Sequence, residues 1–380
     1  MKVLHLIHET SFGGVESAAE NLRLSLGSGA ASGASDRADG DAGGDAGEDP
    51  GGDRVRYRVC ALASAPEGLE VVRADVVGDG VNSPRAALRL LREIRRDRPD
   101  VLVTSLWRAV ALGLAARVLS PRTRWVVWVH SSRYSHRVDA AVHRLAFARA
   151  DEAWSDSEAS WEGLVLPERA RVRADGAHRI IKPEAAPIAE PGAAGRPGPE
   201  EPLRLVYWGR LARPKRLDLA IDLVAELERT RPGGARLTII GPDAGARADL
   251  VARVERLGLG GSVEFAPAAD RAGIAAAAAR AHAFVQLSDF EGFAMSAHEA
   301  LALGLVCVVT PVGDLVADTH DGVDSIHHHG DIAETARRLL DVMDDPEEHG
   351  RLAAAARAAA DGGFVDSFAQ ACRDLAGRTG

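Results

Sequence analysis

The chain has 380 residues, 46% hydrophobic and 27% charged, with a formal net charge of -9. This length suits two domains of ordinary size rather than one core, the composition is that of a globular protein, and an acidic balance makes no case for a nucleic-acid partner. No apolar segment approaches the roughly 18 residues that a membrane span needs.

The N-terminus, Met1 to His8, runs straight into an apolar stretch, which predicts a strand over 2–8, no signal peptide and a cytoplasmic chain. His8-Glu-Thr-Ser-Phe-Gly-Gly-Val-Glu16 follows, then a helical pattern to Leu26. Gly13 and Gly14 let the backbone approach a ligand at a helix N-terminus, where free amides and the helix dipole favour an anion. Residues 27–53, rich in Gly, Ala, Ser and Asp, offer no large apolar surface and read as a mobile insertion. Asp39-Gly-Asp41 within it has the spacing of a cation-binding pair but no rigid strand end to hold one.

Apolar runs near 55–63, 71–77, 101–105, 125–130 and 152–155 then alternate with helical stretches near 84–97, 108–119, 134–149 and 157–165. The alternation predicts a parallel sheet covered on both faces, with ligands at the carboxyl ends of its strands. His130 closes the strand Trp125-Val-Val-Trp-Val, and Ser157 is placed to cap the helix after it. After an Asp175-Gly176 turn, the Pro-, Gly- and Ala-rich segment 183–202 reads as a linker.

The alternation resumes with strands near 203–208, 236–240, 262–266, 283–287 and 305–309 and helices near 215–229, 246–257 and 270–281, followed by helices near 331–343, 346–360 and 364–377. Two stretches carry chemistry. Val206-Tyr-Trp-Gly-Arg-Leu-Ala-Arg-Pro-Lys-Arg-Leu-Asp218 is a strand ending in Gly209, then Arg210, then Lys215. Only Lys2, Lys182 and Lys215 among 46 basic residues are lysine, so a lysine here is informative. Ser288-Asp-Phe-Glu-Gly-Phe-Ala-Met-Ser-Ala-His-Glu-Ala-Leu-Ala-Leu-Gly304 places Glu291 in a turn before a helix and Glu299 inside it. Cations and helix-start amides suit a diphosphate, and the carboxylates suit the hydroxyls of a sugar and a ribose. His327-His-His329 reads as a solvated loop, because consecutive histidines do not easily converge on one ion. Cys60, Cys307 and Cys372 lack metal spacing and read as buried reduced thiols.

Together, Gly-Arg-x4-Lys and Glu-x7-Glu on strand ends resemble the donor site of family 4 glycosyltransferases. The resemblance implies an α/β GT-B fold with two Rossmann-like domains whose parallel sheets face a central cleft. It assigns 1–182 to an acceptor-side domain, 183–202 to a linker, 203–362 to a nucleotide-sugar domain, and 363–380 to a helix crossing back. By the resemblance, a hexosyltransferase-type enzyme would move sugar from a nucleoside diphosphate, UDP in the first instance, to an acceptor hydroxyl with retention and without a metal or other cofactor. Arg210, Lys215, Glu291 and His130 would be catalytic. Gly13, Gly14, Gly209, Gly292, Phe293, Ala294 and Glu299 would hold the donor. The alternatives are a same-fold epimerase or phosphorylase, or a silent sugar-nucleotide-binding subunit. The acceptor, whether glycan, lipid-linked or natural-product hydroxyl, is left open. Fourteen arginines against five acidic residues over 79–150 raise peripheral contact with an anionic membrane at its inner face.

Overall fold

The computed structural model describes residues 1–11, 13–27, 55–66, 70–164, 177–184, 196–198, 201–359 and 362–378. Nearly all of the 27–53 insertion, the Asp175-Gly176 turn and most of the 183–202 linker lie outside the described residues.

The first sheet contains β1 (Lys2–Glu9), β2 (Arg56–Ala63), β3 (Val76–Val77), β4 (Val101–Ser105), β5 (Arg124–Val129), β6 (Glu152–Ser155) and β7 (His178–Ile180), in the order β3-β2-β1-β4-β5-β6-β7. The second contains β8 (Leu203–Trp208), β9 (Ala235–Ile240), β10 (Val263–Ala266), β11 (Ala283–Gln286), β12 (Val306–Val309) and β13 (Ser325–His327), in the order β10-β9-β8-β11-β12-β13. The pairings are parallel throughout. Such strands are covered on both faces, which is why β4 and β12 are buried along their whole length and read as apolar runs.

Side-chain alternation divides the first sheet between two cores. Val3, Ile7, Val126 and Trp128 face one, with Ala18 and Leu22 of α1 (Gly14–Gly27). Leu4, Leu6, Trp125 and Val127 face the other, with α2 (Pro84–Asp97), α3 (Trp107–Leu119) and α4 (Arg137–Phe147). Ser157 does cap α5 (Glu158–Glu162), its side chain accepting from the Ser160 amide. The second sheet packs α6 (Leu217–Thr230), α7 (Arg247–Arg256), α8 (Arg271–Ala278), α9 (Met295–Ala302), α10 (Leu315–Asp318), α11 (Ile332–Asp344) and α12 (Pro346–Ala359) around one core. The last helix, α13 (Phe364–Ala376), instead puts Phe364, Phe368, Cys372 and Leu375 into the first domain's core, with Phe368 against Tyr57, Trp128 and Trp154.

Both sheets reverse their winding at one place, between β1 and β4 and between β8 and β11. A crevice opens at the carboxyl ends of the strands at such a switch point. The loops after β1, β8 and β11 carry the Gly13–Gly14, Arg210–Lys215 and Glu291 motifs, so the topology delivers all three to crevices of this kind.

Three local expectations are corrected. The strand expected over 71–77 shrinks to Val76–Val77, because Asp75 bonds Val59 twice, from its own amide at 2.8 Å and through its carboxylate at 2.9 Å. The edge strands β7 and β13 and the short α10 were not anticipated. The histidine run is not a solvated loop: His327 ends β13, and both it and His328 are buried, leaving only His329 of the three exposed. All three cysteines are buried free thiols, and burial pushes Cys60 up to about 12. No helix among the described residues is long and apolar enough to cross a membrane.

Candidate active site

Gly209 follows β8 with its amide bonded to the Ile240 carbonyl at 3.0 Å, and the chain then turns through a 3₁₀ segment, Arg213–Lys215. Arg216 follows with φ 45, an uncommon conformation for a residue with a side chain. Its guanidinium explains the conformation by gripping Asp218 at 2.9 Å and Asp289 at 2.8 Å. The Asp289 amide also bonds the Pro214 carbonyl at 2.9 Å, so the loops after β8 and β11 are laced together.

Lacing brings the two sequence motifs into contact. Lys215 Nζ lies 2.7 and 2.8 Å from the two oxygens of Glu291, whose side chain is only 7% exposed. Gln286 donates to the same carboxylate at 2.9 Å and is itself held by Ser296 at 3.1 Å. Arg210 is exposed, and its guanidinium has no hydrogen-bond partner among the described residues. The amides of Gly292, Phe293 and Ala294, just before α9, have no backbone acceptor among the described residues. Phe293 stacks on His298 with ring centroids 4.0 Å apart. Glu299, half-buried on α9, accepts from the Trp208 indole at 2.7 Å and has Arg271 at 3.9 Å, and burial raises its carboxyl above the usual range.

The first domain closes over this group. A Cβ at Gly14 would stand 3.0 Å from Met295 Cγ, so the glycine-rich loop faces the start of α9. A Cβ at Gly13 would strike the Glu16 carboxylate at 2.3 Å. Glu16 is buried, and burial pushes its carboxyl up to about 7 against the opposing pull of Arg210. A Cβ at Gly292 would meet Ser160 Oγ at 2.8 Å and the His130 carbonyl at 3.0 Å, so only glycine allows this approach.

His130 is half-buried as a residue, and its side chain is only 8% exposed. Its Nε2 lies 2.9 Å from Ser105 Oγ, which also bonds His5 at 2.8 Å, and burial lowers its pKa to about 3. It is therefore a neutral ring at ordinary pH, able to hydrogen-bond but not to act as a cation. The ring lines a pocket of about 450 Å³ in the first domain, with Trp107, Arg108, Arg133, Tyr134 and His136. Leu106, at φ 69, turns the chain from β4 into α3 and so presents Trp107 there.

Sequence reasoning missed the acidic groups between the domains. Asp156 lies 3.7 Å from His130, with one buried oxygen lacking a hydrogen-bond partner among the described residues. Burial, reinforced by Asp314, pushes its carboxyl up to about 7. Lys182 pairs with Asp318 at 2.6 Å, and His298 reaches the same carboxylate at 3.1 Å. Only Glu16, Trp208 and Arg271 had a local signal, each standing at or near a strand end or helix start.

An acid whose folded pKa is raised contributes stability when protonated, and that contribution is lost as pH rises through the folded value. Asp156→Asn is therefore expected to melt several degrees above the unaltered chain at pH 8, with the gain shrinking below pH 7 and absent near pH 4. Thermal melts across that range test it. Equal melting temperatures at pH 8 would show that Asp156 ionises without penalty.

Comparison with known proteins places the chain among sugar-transferring enzymes. Residues 194–359 match the family model described as Glycosyl transferases group 1. A glycogen synthase of Mycobacterium tuberculosis is 32% identical over 289 residues, covering 72% of this chain and 67% of the relative. A D-inositol 3-phosphate glycosyltransferase of Paenarthrobacter aurescens is 31% identical over 156 residues, covering 40% and 38%. Among solved structures, the Anabaena protein HepE in complex with UDP and glucose superposes with a TM-score of 0.71 at 18% identity over the whole of both chains. Sucrose-phosphate synthase from Thermosynechococcus elongatus gives 0.72 at 17% identity over 98% of each. At such identities these two show the shared fold, two Rossmann-like domains of the GT-B kind.

Proposed function

The chain belongs to the group 1 glycosyl transferases, and we propose that within them it is a retaining, family 4 hexosyltransferase that uses a UDP-sugar. The observation that carries the reading is the Lys215–Glu291 contact beside the exposed Arg210, at the switch point of the second sheet. Donor binding would exchange that ion pair for two new partners: Lys215 turns to the diphosphate and Glu291 to a sugar hydroxyl.

As the bond between the anomeric carbon and the diphosphate breaks, negative charge grows on the leaving oxygens. Arg210, Lys215 and the amides of Gly292, Phe293 and Ala294 are placed to stabilise it, and no metal is needed for this role. Gly209 opens the β8 turn to the phosphates. Glu299, oriented by Trp208, accepts from the ribose, and Gly13 and Gly14 bring the first domain's backbone to the same diphosphate. The acceptor enters through the pocket lined by His130 and Trp107 and attacks the face from which the diphosphate leaves, its hydroxyl proton passing to the departing phosphate oxygen. His130 orients it as a neutral hydrogen-bonding group. HepE has been solved in complex with UDP and glucose, which is why UDP-sugars come first in the test.

The test is incubation with a panel of sugar nucleotides and acceptors, following nucleoside diphosphate release. Acceptor-dependent release with the anomeric configuration kept is expected. Donor isomerisation, phosphate-dependent cleavage or binding without turnover would point instead to an epimerase, a phosphorylase or a silent subunit.

A peripheral membrane role at the cytoplasmic face is proposed for the exposed side of α2, where Arg85, Arg89, Arg92, Arg95 and Arg96 surround Leu88. Sedimentation with anionic vesicles at low salt, reversed at high salt, is the expected result. A protein left in the supernatant at low salt would favour a soluble acceptor.

A further inference from the structure

Strand β13 and the loops on either side of it carry a cluster that the donor site does not use. Asp321, His327 and His329 each bring one ligand atom within 4.8 Å of the others. The alternation of β13, carried past its end where the His328 amide bonds the Val309 carbonyl at 2.8 Å, is the reason. Residues 327 and 329 share one side, whereas His328 turns to the other and meets Thr335 Oγ1 at 2.8 Å. Consecutive histidines diverge, but alternate ones converge.

The cluster is pre-positioned by partners of its own. His327 is 8% exposed, and its Nε2 lies 2.9 Å from Thr319 Oγ1, whose hydroxyl donates to the Leu315 carbonyl. The threonine oxygen therefore accepts from the ring, which fixes the neutral tautomer with its hydrogen on Nε2. The lone pair on Nδ1 has no hydrogen bond among the described residues. Asp321 Oδ1 accepts from the His327 amide at 2.8 Å and from Arg338 at 2.6 Å, while Oδ2 stands 3.3 Å from His329 Nε2. Ligating imidazoles and carboxylates are commonly held by such outer hydrogen bonds.

We propose that Asp321, His327 and His329 bind one divalent cation of the zinc class, with water as fourth ligand. Two imidazoles and one carboxylate suit Zn²⁺, whereas Mg²⁺ and Ca²⁺ call for oxygen alone. Ligand atoms around a tetrahedral zinc stand about 3.3 Å apart, so the exposed His329 ring closes inward as the ion binds. The ion ties the loop after α10 to the edge strand. Asp318, which ends α10 and meets Lys182 and His298, is thereby steadied from behind. This site stands independently of the sugar-transfer reading.

The test uses the untagged full-length chain and Zn²⁺ alone, competed against a chromophoric chelator and followed by thermal melting. One Zn²⁺ per chain, with a rise in melting temperature, is expected. His329→Ala removes an exposed ligand without touching the core and should weaken binding about tenfold or more and abolish the rise. Thr319→Val, which removes only the outer partner of His327, should weaken it about tenfold. His320→Ala, in the same loop but outside the cluster, should leave it unchanged. Absence of saturable binding by the unaltered chain overturns the proposal. So does equal affinity in His329→Ala, which would reduce the cluster to an Asp321–His329 ion pair. X-ray absorption of the loaded protein should show only nitrogen and oxygen neighbours, and a sulfur neighbour would place the ion elsewhere.

Discussion

Lys215→Ala is expected to lower kcat by about 10²–10³-fold, the range found when one preorganised donor to a developing anion is removed. The ammonium now sits on Glu291 at 2.7 Å, so its removal also strands a buried carboxylate. Gln286 still donates to Glu291, which limits the loss of stability to about 1–3 kcal/mol. The two effects separate in a double variant. Lys215→Ala with Glu291→Gln should recover the melting temperature without recovering turnover, since a neutral amide no longer needs the cation. Arg210→Ala should lose activity on a similar scale with no change in melting, because Arg210 is exposed and its guanidinium has no hydrogen-bond partner among the described residues. Steady-state kinetics beside thermal melts decide the matter, and ordinary turnover in a folded Lys215→Ala protein would remove the diphosphate role.

Gly313→Ala is expected to disable donor binding by displacing the Glu291–Gly292 turn. Gly313 has φ 63, and a Cβ there would lie 2.5 Å from the Gly292 carbonyl oxygen and 2.6 Å from that of Glu291. Both obstacles are backbone, so no rotamer relieves them and the Glu291–Gly292 turn must move. The left-handed conformation adds about 1–2 kcal/mol for any other residue. Stability should therefore fall by a few kcal/mol, and donor affinity by more than the melting shift alone implies, because Glu291 and the following amides shift together. Gly258→Ala is the control: it has φ 70 but open space around the added methyl. It should lose comparable backbone stability and keep donor affinity, as measured by titration with UDP-sugar. If both variants bind alike, the turn is tolerant and Glu291 is not fixed by it.

The sequence was legible where one strand or one helix decides the outcome. Parallel strands buried on both faces announce themselves as apolar runs, and Trp125–Val129 and Leu203–Trp208 fall where those runs lie. Arg210, Lys215, Glu291 and Glu299 could be named because each stands at a fixed offset from a strand end, and the fold brings such ends to one crevice. The His178-Arg-Ile and Ser325-Ile-His edge strands carry no run at all, since their pairing is supplied by β6 and β12. Asp156 and Asp314 could not be recognised as buried acids because their desolvation comes from the meeting of two domains. The histidine run was misjudged for a related reason: its spacing means one thing in a loop and another on a strand.

The passage of α13 into the first domain's core also sets an order of events during synthesis. Tyr57, Trp128 and Trp154 are complete in the nascent chain long before Phe364 and Phe368 exist to cover them. At ordinary ribosomal speeds the roughly 200 intervening residues take on the order of 10–40 s to appear. Through that interval the amino-terminal half carries an uncovered aromatic face, a surface that chaperones recognise. Its last packing step must then wait until residues 364–376 have cleared the exit tunnel.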